Sequence, residues 1–118
     1  MSEFTRFQVV RQDDVTIIRL LDPELSDLLI QDSFLEEIMS LLSDDTLVNL
    51  VINCSIVNYC NSGVINALIR AKKRIVEKHG EIRLCELNEH VLEAFRALNL
   101  EGTVFQVFAT EAEAIASF

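Results

Sequence analysis

LVNLVINCSIVNYCNSGVINALIRAKKRIVEKH, residues 47–79, decides the fold of this chain. Leu47, Val48, Leu50, Val51 and Ile52 form a near-continuous apolar run rich in β-branched residues. That composition suits a strand buried on both faces, so a central strand is expected. A turn-prone cluster follows, Asn58 to Ser62, after which Val64, Ile65, Leu68, Ile69, Ala71, Ile75 and Val76 recur at helical spacing. Ser62 is expected as the N-cap or a first-turn residue of that helix, where a serine oxygen can accept from backbone N–H groups lacking intrahelical partners. Gly80 is expected to cap the other end. A hydroxyl at a strand-to-helix turn lies at the carboxyl end of a sheet strand. There the helix dipole would stabilise a phosphate carried on Ser62, although a serine at a helix start can also serve simply as a cap.

Outward from this unit, Phe4–Arg11 and Val15–Leu20 read as two strands of an antiparallel hairpin, turned at Gln12, Asp13 and Asp14. Leu21–Ser26 reads as a loop, because Pro23 cannot sit in a strand interior and restricts Asp22 before it. A helix is expected from about Leu29 to Ser43, with Ile30, Phe34, Leu35, Ile38, Leu41 and Leu42 inward and Asp32, Glu36 and Glu37 on a solvated face. Glu81–Leu87 reads as another strand, and Asn88 as the cap of a helix containing Val91, Leu92, Phe95 and Leu98. Val104–Phe108 is a last strand, and Thr110 with Glu113 forms a capping box for a terminal helix ending in Ile115 and Phe118. The sum is β-β-α-β-α-β-α-β-α: a single α/β domain over residues 1–118, its sheet mixed but mostly parallel, with the N-terminal hairpin adding an antiparallel strand at one edge.

Composition narrows the function. A formal charge of -9 argues against nucleic acid, whose phosphates need basic surface. Eleven acids in the first 45 residues face only Arg6, Arg11 and Arg19, whereas Ser62–His79 holds five of the ten basic residues. That helix reads as a solvated basic face or as a docking face for an acidic partner. No apolar run approaches the roughly 20 residues of a membrane span, and Met1–Asp13 lacks a basic-then-apolar signal pattern, so a cytoplasmic protein is expected. Cys54, Cys60 and Cys85 are odd in number and lack CxxC spacing; buried free thiols are expected rather than a disulfide or metal set. His79 and His90 have no ligand-like spacing and read as surface residues. There is no GxGxxG, P-loop or nucleophile elbow. No catalytic, cofactor or metal site is expected, and the chain reads as a binding module whose partner is switched. Nothing in the pattern sets an oligomeric state.

The order of elements and the segment VINCSIVNYCNS (residues 51–62) running into a helix resemble the STAS domain, in particular the stand-alone anti-sigma factor antagonists of bacteria. The resemblance extends to the Gly80 break and to the closing pattern from Phe105 through Thr110, Glu111 and Glu113. The family motif runs Asp-x-Ser-x-Val and, after a short spacer, Asp-Ser-Ser-Gly-Leu. Ser55 and Val57 match its first half and Ser62 its phosphorylated serine. Asn53 and Asn61 stand where the family has aspartate, Gly63 where it has its second serine, Val64 where it has glycine, and Ile65 where it has leucine. The resemblance implies an antagonist that binds an anti-sigma factor, often itself a serine kinase, through a surface comprising Asn58, Asn61, Ser62, Gly63 and Asn66. Phosphorylation of Ser62 then ends the binding and so regulates sigma-factor-dependent transcription. The alternatives are a constitutive STAS binding or scaffold module and, more remotely, a nucleotide or small-anion sensor.

Overall fold

The structure is a computed structural model that describes residues 4–118; the first three residues of the expected 1–118 domain lie outside the described residues. The main sheet has five strands: β1 (Phe7–Gln12), β2 (Val15–Leu20), β4 (Asn49–Asn53), β6 (Glu81–Cys85) and β7 (Gln106–Phe108), in the order β1-β2-β4-β6-β7. β1 and β2 pair antiparallel, and every other neighbour in this sheet is parallel, so the expected hairpin edge and parallel body are both present. β4, the strand anticipated at the centre, is the third of the five. The helices are α1 (Leu28–Leu41), α2 (Ser62–Glu77), α3 (Glu89–Ala97) and α4 (Glu111–Ala116).

Alternation along the strands divides the core in two. Ile18, Leu50, Ile52, Ile82 and Leu84 pack with Phe34 and Ile38 of α1, Leu68, Ala71 and Ile75 of α2 and Phe95 of α3. Val15, Ile17, Val51 and Cys85 face the other way, against Ala114 of α4. Val51 and Ile52 are therefore both fully buried, on opposite faces, as the apolar run predicted.

Three details differ from the sequence reading. The segment expected as loop contains a short strand, β3 (Glu24–Leu25), which pairs in parallel with a second, β5 (Tyr59–Cys60), inside the expected turn. Pro23 does not prevent this, because it precedes the strand and contributes only its carbonyl, which accepts from the N–H groups of Asn58 at 2.7 Å and Tyr59 at 3.2 Å. At α2 the cap is Asn61, and Ser62 is the first helical residue, the second of the two places expected for it. At the other end Lys78 is the C-cap and His79 takes the left-handed conformation, φ 62°. Gly80 lies one position further, its N–H on the Ile75 carbonyl and that of His79 on Val76, completing a Schellman motif. Gly80 is required by space: a Cβ there would lie 2.2 Å from the Val48 carbonyl oxygen. Finally, Glu37 is not simply solvated, since it accepts from the backbone N–H groups of Thr5 and Arg6 and from the Thr5 hydroxyl. Burial works against its charged form, but those hydrogen bonds prevail and hold its carboxyl below the usual range.

Candidate functional site

The residues singled out around Ser62 converge at the carboxyl end of β4. The chain leaves β4 at Asn53, whose side chain is buried and accepts from the Ser55 N–H at 2.9 Å, fixing the first bend. Asn88, the cap of α3, holds the next part of the loop: its amide donates to the carbonyls of Val57 at 3.0 Å and Asn58 at 3.3 Å. β5 then anchors the loop to β3, and Asn61 opens α2. Its Oδ1 accepts from the Val64 N–H at 3.1 Å, while its Nδ2 donates to the Ser26 carbonyl at 3.2 Å. An aspartate could make only the first of these two bonds.

Ser62 is exposed, and its hydroxyl has no hydrogen-bond partner among the described residues. With capping done by Asn61, that hydroxyl is left presented to solvent at the first position of a helix that carries no acidic residue in its first turn. Gly63, half-buried, lies beneath the side chain of Gln31 from α1; a Cβ on it would fall 2.2 Å from Gln31 Nε2. Asn66, one turn on, is exposed and lines a groove of ≈ 270 Å³ between α1 and α2 together with Gln31, Asp32, Leu35, Gly63 and Arg70. Asn58 is exposed, on the loop held by Asn88. The five expected partner-binding residues thus occupy the loop, cap and first two turns of α2.

Sequence reasoning missed what stands beside them. Leu28 and Leu29, in the first turn of α1, are 66% and 79% exposed, and Ile56 and Tyr59 on the loop are 49% and 52% exposed. The Ser26–Asn61 bond and the β3–β5 pair bring these two segments together. Large apolar side chains this exposed, beside a polar helix start, are a feature of docking surfaces. Leu28 and Leu29 were readable as an apolar pair at a helix entrance, but only the tertiary pairing brings them near Ser62.

A second polar cluster lies at the same end of the sheet. Arg19 of β2 donates from Nε and Nη2 to the two carboxylate oxygens of Glu111, at 3.1 and 2.8 Å. Asn53 Nδ2 donates to Glu111 at 2.7 Å and to Glu86 at 3.3 Å, and Glu86 also accepts from the Glu111 N–H. The hydrogen bonds from Arg19, opposed by burial and aided by Asn53, hold the Glu111 carboxyl below its usual range. This network ties α4 to the strand that feeds the Ser62 loop.

The three thiols are free and buried, as expected. Among the described residues no group of His, Cys, Asp and Glu could hold a metal, and no helix is long and apolar enough to cross a membrane.

A family model of the STAS domain matches residues 6–114, and the chain belongs to the STAS domain family. Its fold is similar to that of an anti-sigma-factor antagonist (STAS) domain protein from Planctomyces limnophilus, with a TM-score of 0.83 at 20% identity over 94% of this chain and 95% of that one. It is also similar to the anti-sigma factor antagonist SpoIIAA in its unphosphorylated form, with a TM-score of 0.77 at 20% identity over 94% of each chain. For the Bacillus cell fate determinant SpoIIAA in the phosphorylated form the TM-score is 0.71, again at 20% identity, over 94% of this chain and 97% of that one. At such identity the likeness is one of fold. No curated protein sequence matches the chain significantly.

Proposed function

We propose that residues 1–118 act as one STAS domain, a cytoplasmic anti-sigma factor antagonist without catalytic activity of its own. It binds an anti-sigma factor of the serine-kinase type through Asn58, Asn61, Ser62, Gly63, Asn66 and the apolar rim of Leu28, Leu29, Ile56 and Tyr59. Phosphorylation of Ser62 releases the partner and thereby regulates sigma-factor-dependent transcription. The observation that carries this reading is the exposed Ser62 hydroxyl, unbonded among the described residues and freed from capping by Asn61. A phosphate there adds about -1.5 to -2 charges, tolerated by the helix N-terminus but projecting into a surface that was neutral and partly apolar. A partner fitted to that surface would meet bulk and an uncompensated desolvation cost.

The test is capture from the native cytosol by the wild-type protein and by Ser62→Glu. Retention of an anti-sigma factor or an ATP-binding serine kinase by the wild type alone supports the switch. Equal retention by both variants supports a second reading, a constitutive STAS binding module. Two observations favour that second reading: Asn61 in the place of the family aspartate, fixed by two hydrogen bonds, and Gly63 beneath Gln31 in the place of the family's second serine.

A further inference from the structure

The ten cationic side chains of this chain divide sharply by what they touch. Arg6, Arg11, Arg19, Lys72, Arg83 and Arg96 each pair with a carboxylate. Lys78 donates to the carbonyls of Leu42 and Asp44. The three that remain, Arg70, Lys73 and Arg74, have no ion pair or hydrogen bond among the described residues, and all three are exposed on α2. At about 100° per residue, Ser62, Asn66, Arg70 and Lys73 fall within a quarter-turn of one another, with Arg74 just beyond. In a protein of net charge -9, every Lys and Arg of the described residues that is not used inside the fold is therefore displayed on one stretch of α2, beginning about 12 Å along the axis from Ser62.

From this geometry we infer that the exposed face of α2 from Asn66 to Arg74, bordering the groove with α1, is a docking surface for an acidic protein segment. Three cations are too few for nucleic acid on a chain this acidic, since duplex binding neutralises many phosphates and the rest of the surface would repel them. They are enough to steer and orient an acidic helix or loop. The groove wall opposite carries an acid, Asp32, which lines the groove as Arg70 does, and Glu36 is exposed one turn further along α1. The segment is accordingly held to the α2 side, and Glu77 closes the far end of the cationic run. Ser62 stands at the near end. Resting on the reading of Ser62 given above, a phosphate there would place like charge at the entrance of the surface, so release of the partner would have an electrostatic component as well as a steric one.

The experiment is an NMR titration of the isotope-labelled protein with a synthetic peptide alternating glutamate and alanine, at low salt. The expected result is a set of shift changes confined to Asn66–Arg74. It should weaken about fivefold or more between low and physiological salt, as the screening length falls from about 30 to 8 Å. Combined Arg70→Gln, Lys73→Gln and Arg74→Gln should abolish these changes without lowering the melting temperature, and Asp32→Asn should strengthen them. Shift changes elsewhere, none at all, or changes that survive the triple substitution would overturn the inference, as would preferential binding of a DNA duplex. Ser62→Glu separates the two readings. Weakened peptide binding supports the electrostatic coupling. Unchanged binding at the same residues leaves the docking surface standing and overturns the electrostatic coupling alone, the switch itself being read by the partner capture described above.

Discussion

The side-chain amide of Asn61 donates to the carbonyl of Ser26 at 3.2 Å while its oxygen caps α2. One residue thus joins the entrance of α1 to the entrance of α2, and only an amide can serve both ends. Asn61→Ala should cost about 1–2 kcal/mol, the loss of a cap together with a partly exposed hydrogen bond. Asn61→Asp keeps the cap and gains from the helix dipole, so it should cost less than the alanine variant while leaving the Ser26 carbonyl to water. Urea unfolding of the two variants checks the order; a more damaging aspartate would mean that the Ser26 link outweighs the cap.

Gly63 and Gly80 are both hemmed in, but by different atoms. A Cβ on Gly63 meets the end of the Gln31 side chain, which can rotate away, whereas a Cβ on Gly80 meets the Val48 backbone carbonyl at 2.2 Å. Gly63→Ser, which restores the family residue, should change stability by less than about 1 kcal/mol, since relief of the glycine penalty in a helix offsets the displacement of Gln31. Gly80→Ala should cost about 2 kcal/mol or more, because the strand beneath must shift. Thermal melts of the two variants distinguish a flexible neighbour from a rigid one.

How far the sequence revealed this arrangement depended on the kind of signal. Buried strands and amphipathic helices impose a period on the chain, so β4, α2 and the parallel order were legible from Leu47 to Val76. Caps were legible by residue type at Asn88 and Thr110, whose side chains accept from Val91 and Glu113, although the reciprocal bond of the expected capping box, from the Thr110 N–H to the Glu113 carboxylate, is not formed. At α2 two adjacent residues could both cap, and residue type alone did not favour Asn61 over Ser62. The β3–β5 pair was hidden because strands of two residues have no period. The apolar rim and the Arg19–Asn53–Glu86–Glu111 network were hidden because they join residues up to 92 apart in the chain.

That network makes Asn53 sensitive to charge. Its Nδ2 stands between Glu86 and Glu111 at 3.3 and 2.7 Å, and the residue is only 6% exposed. Asn53→Asp, which again restores the family residue, would replace the bridging donor with a third carboxylate, leaving Arg19 as the only cation among them. A loss of about 2–3 kcal/mol at neutral pH is expected, from like-charge repulsion and two lost hydrogen bonds. The deficit should shrink as pH falls and one carboxyl takes up a proton. Measuring unfolding free energy at pH 7 and pH 5 tests this; a deficit independent of pH would point to packing instead.

Acid should unfold the wild-type protein through the carboxylates that the fold depends upon. Glu111, held down by the hydrogen bonds from Arg19, and Glu81, held down by those from Lys72 and Arg83, each have a folded value below the unfolded one, despite burial acting the other way. The unfolded chain therefore binds protons first as pH drops, so their stabilisation is complete above the ordinary carboxylate range and is lost as pH falls through the folded values. Glu111→Gln should flatten the slope of stability against pH in that region and leave the plateau near neutrality lower. A curve parallel to wild type would show that Glu111 is not a principal acid-labile group.

The thiols give a readout of the two cores separately. Burial pushes all three up: Cys60 to about 11, Cys85 to about 12, with Glu86 and Glu111 adding to the burial of Cys85, and Cys54 higher still. At pH 8 almost none of any native thiol is thiolate, and only the thiolate attacks a disulfide reagent, so the native protein should react far more slowly than the denatured chain. Cys85 belongs to the small cluster under α4, whereas Cys54 and Cys60 belong to the large one. α4 fully buries only Ala114 and is tied down at its start by Glu111 on Arg19, so it should open at a lower cost than the sheet itself. With Cys54→Ala and Cys60→Ala in place, Arg19→Gln should speed labelling of Cys85 about tenfold, a change of about 1.4 kcal/mol in the opening equilibrium, and mass spectrometry of the labelled peptide would register it. Should Cys85 label only as fast as the whole protein unfolds in denaturant, α4 would belong to the same cooperative unit as the sheet.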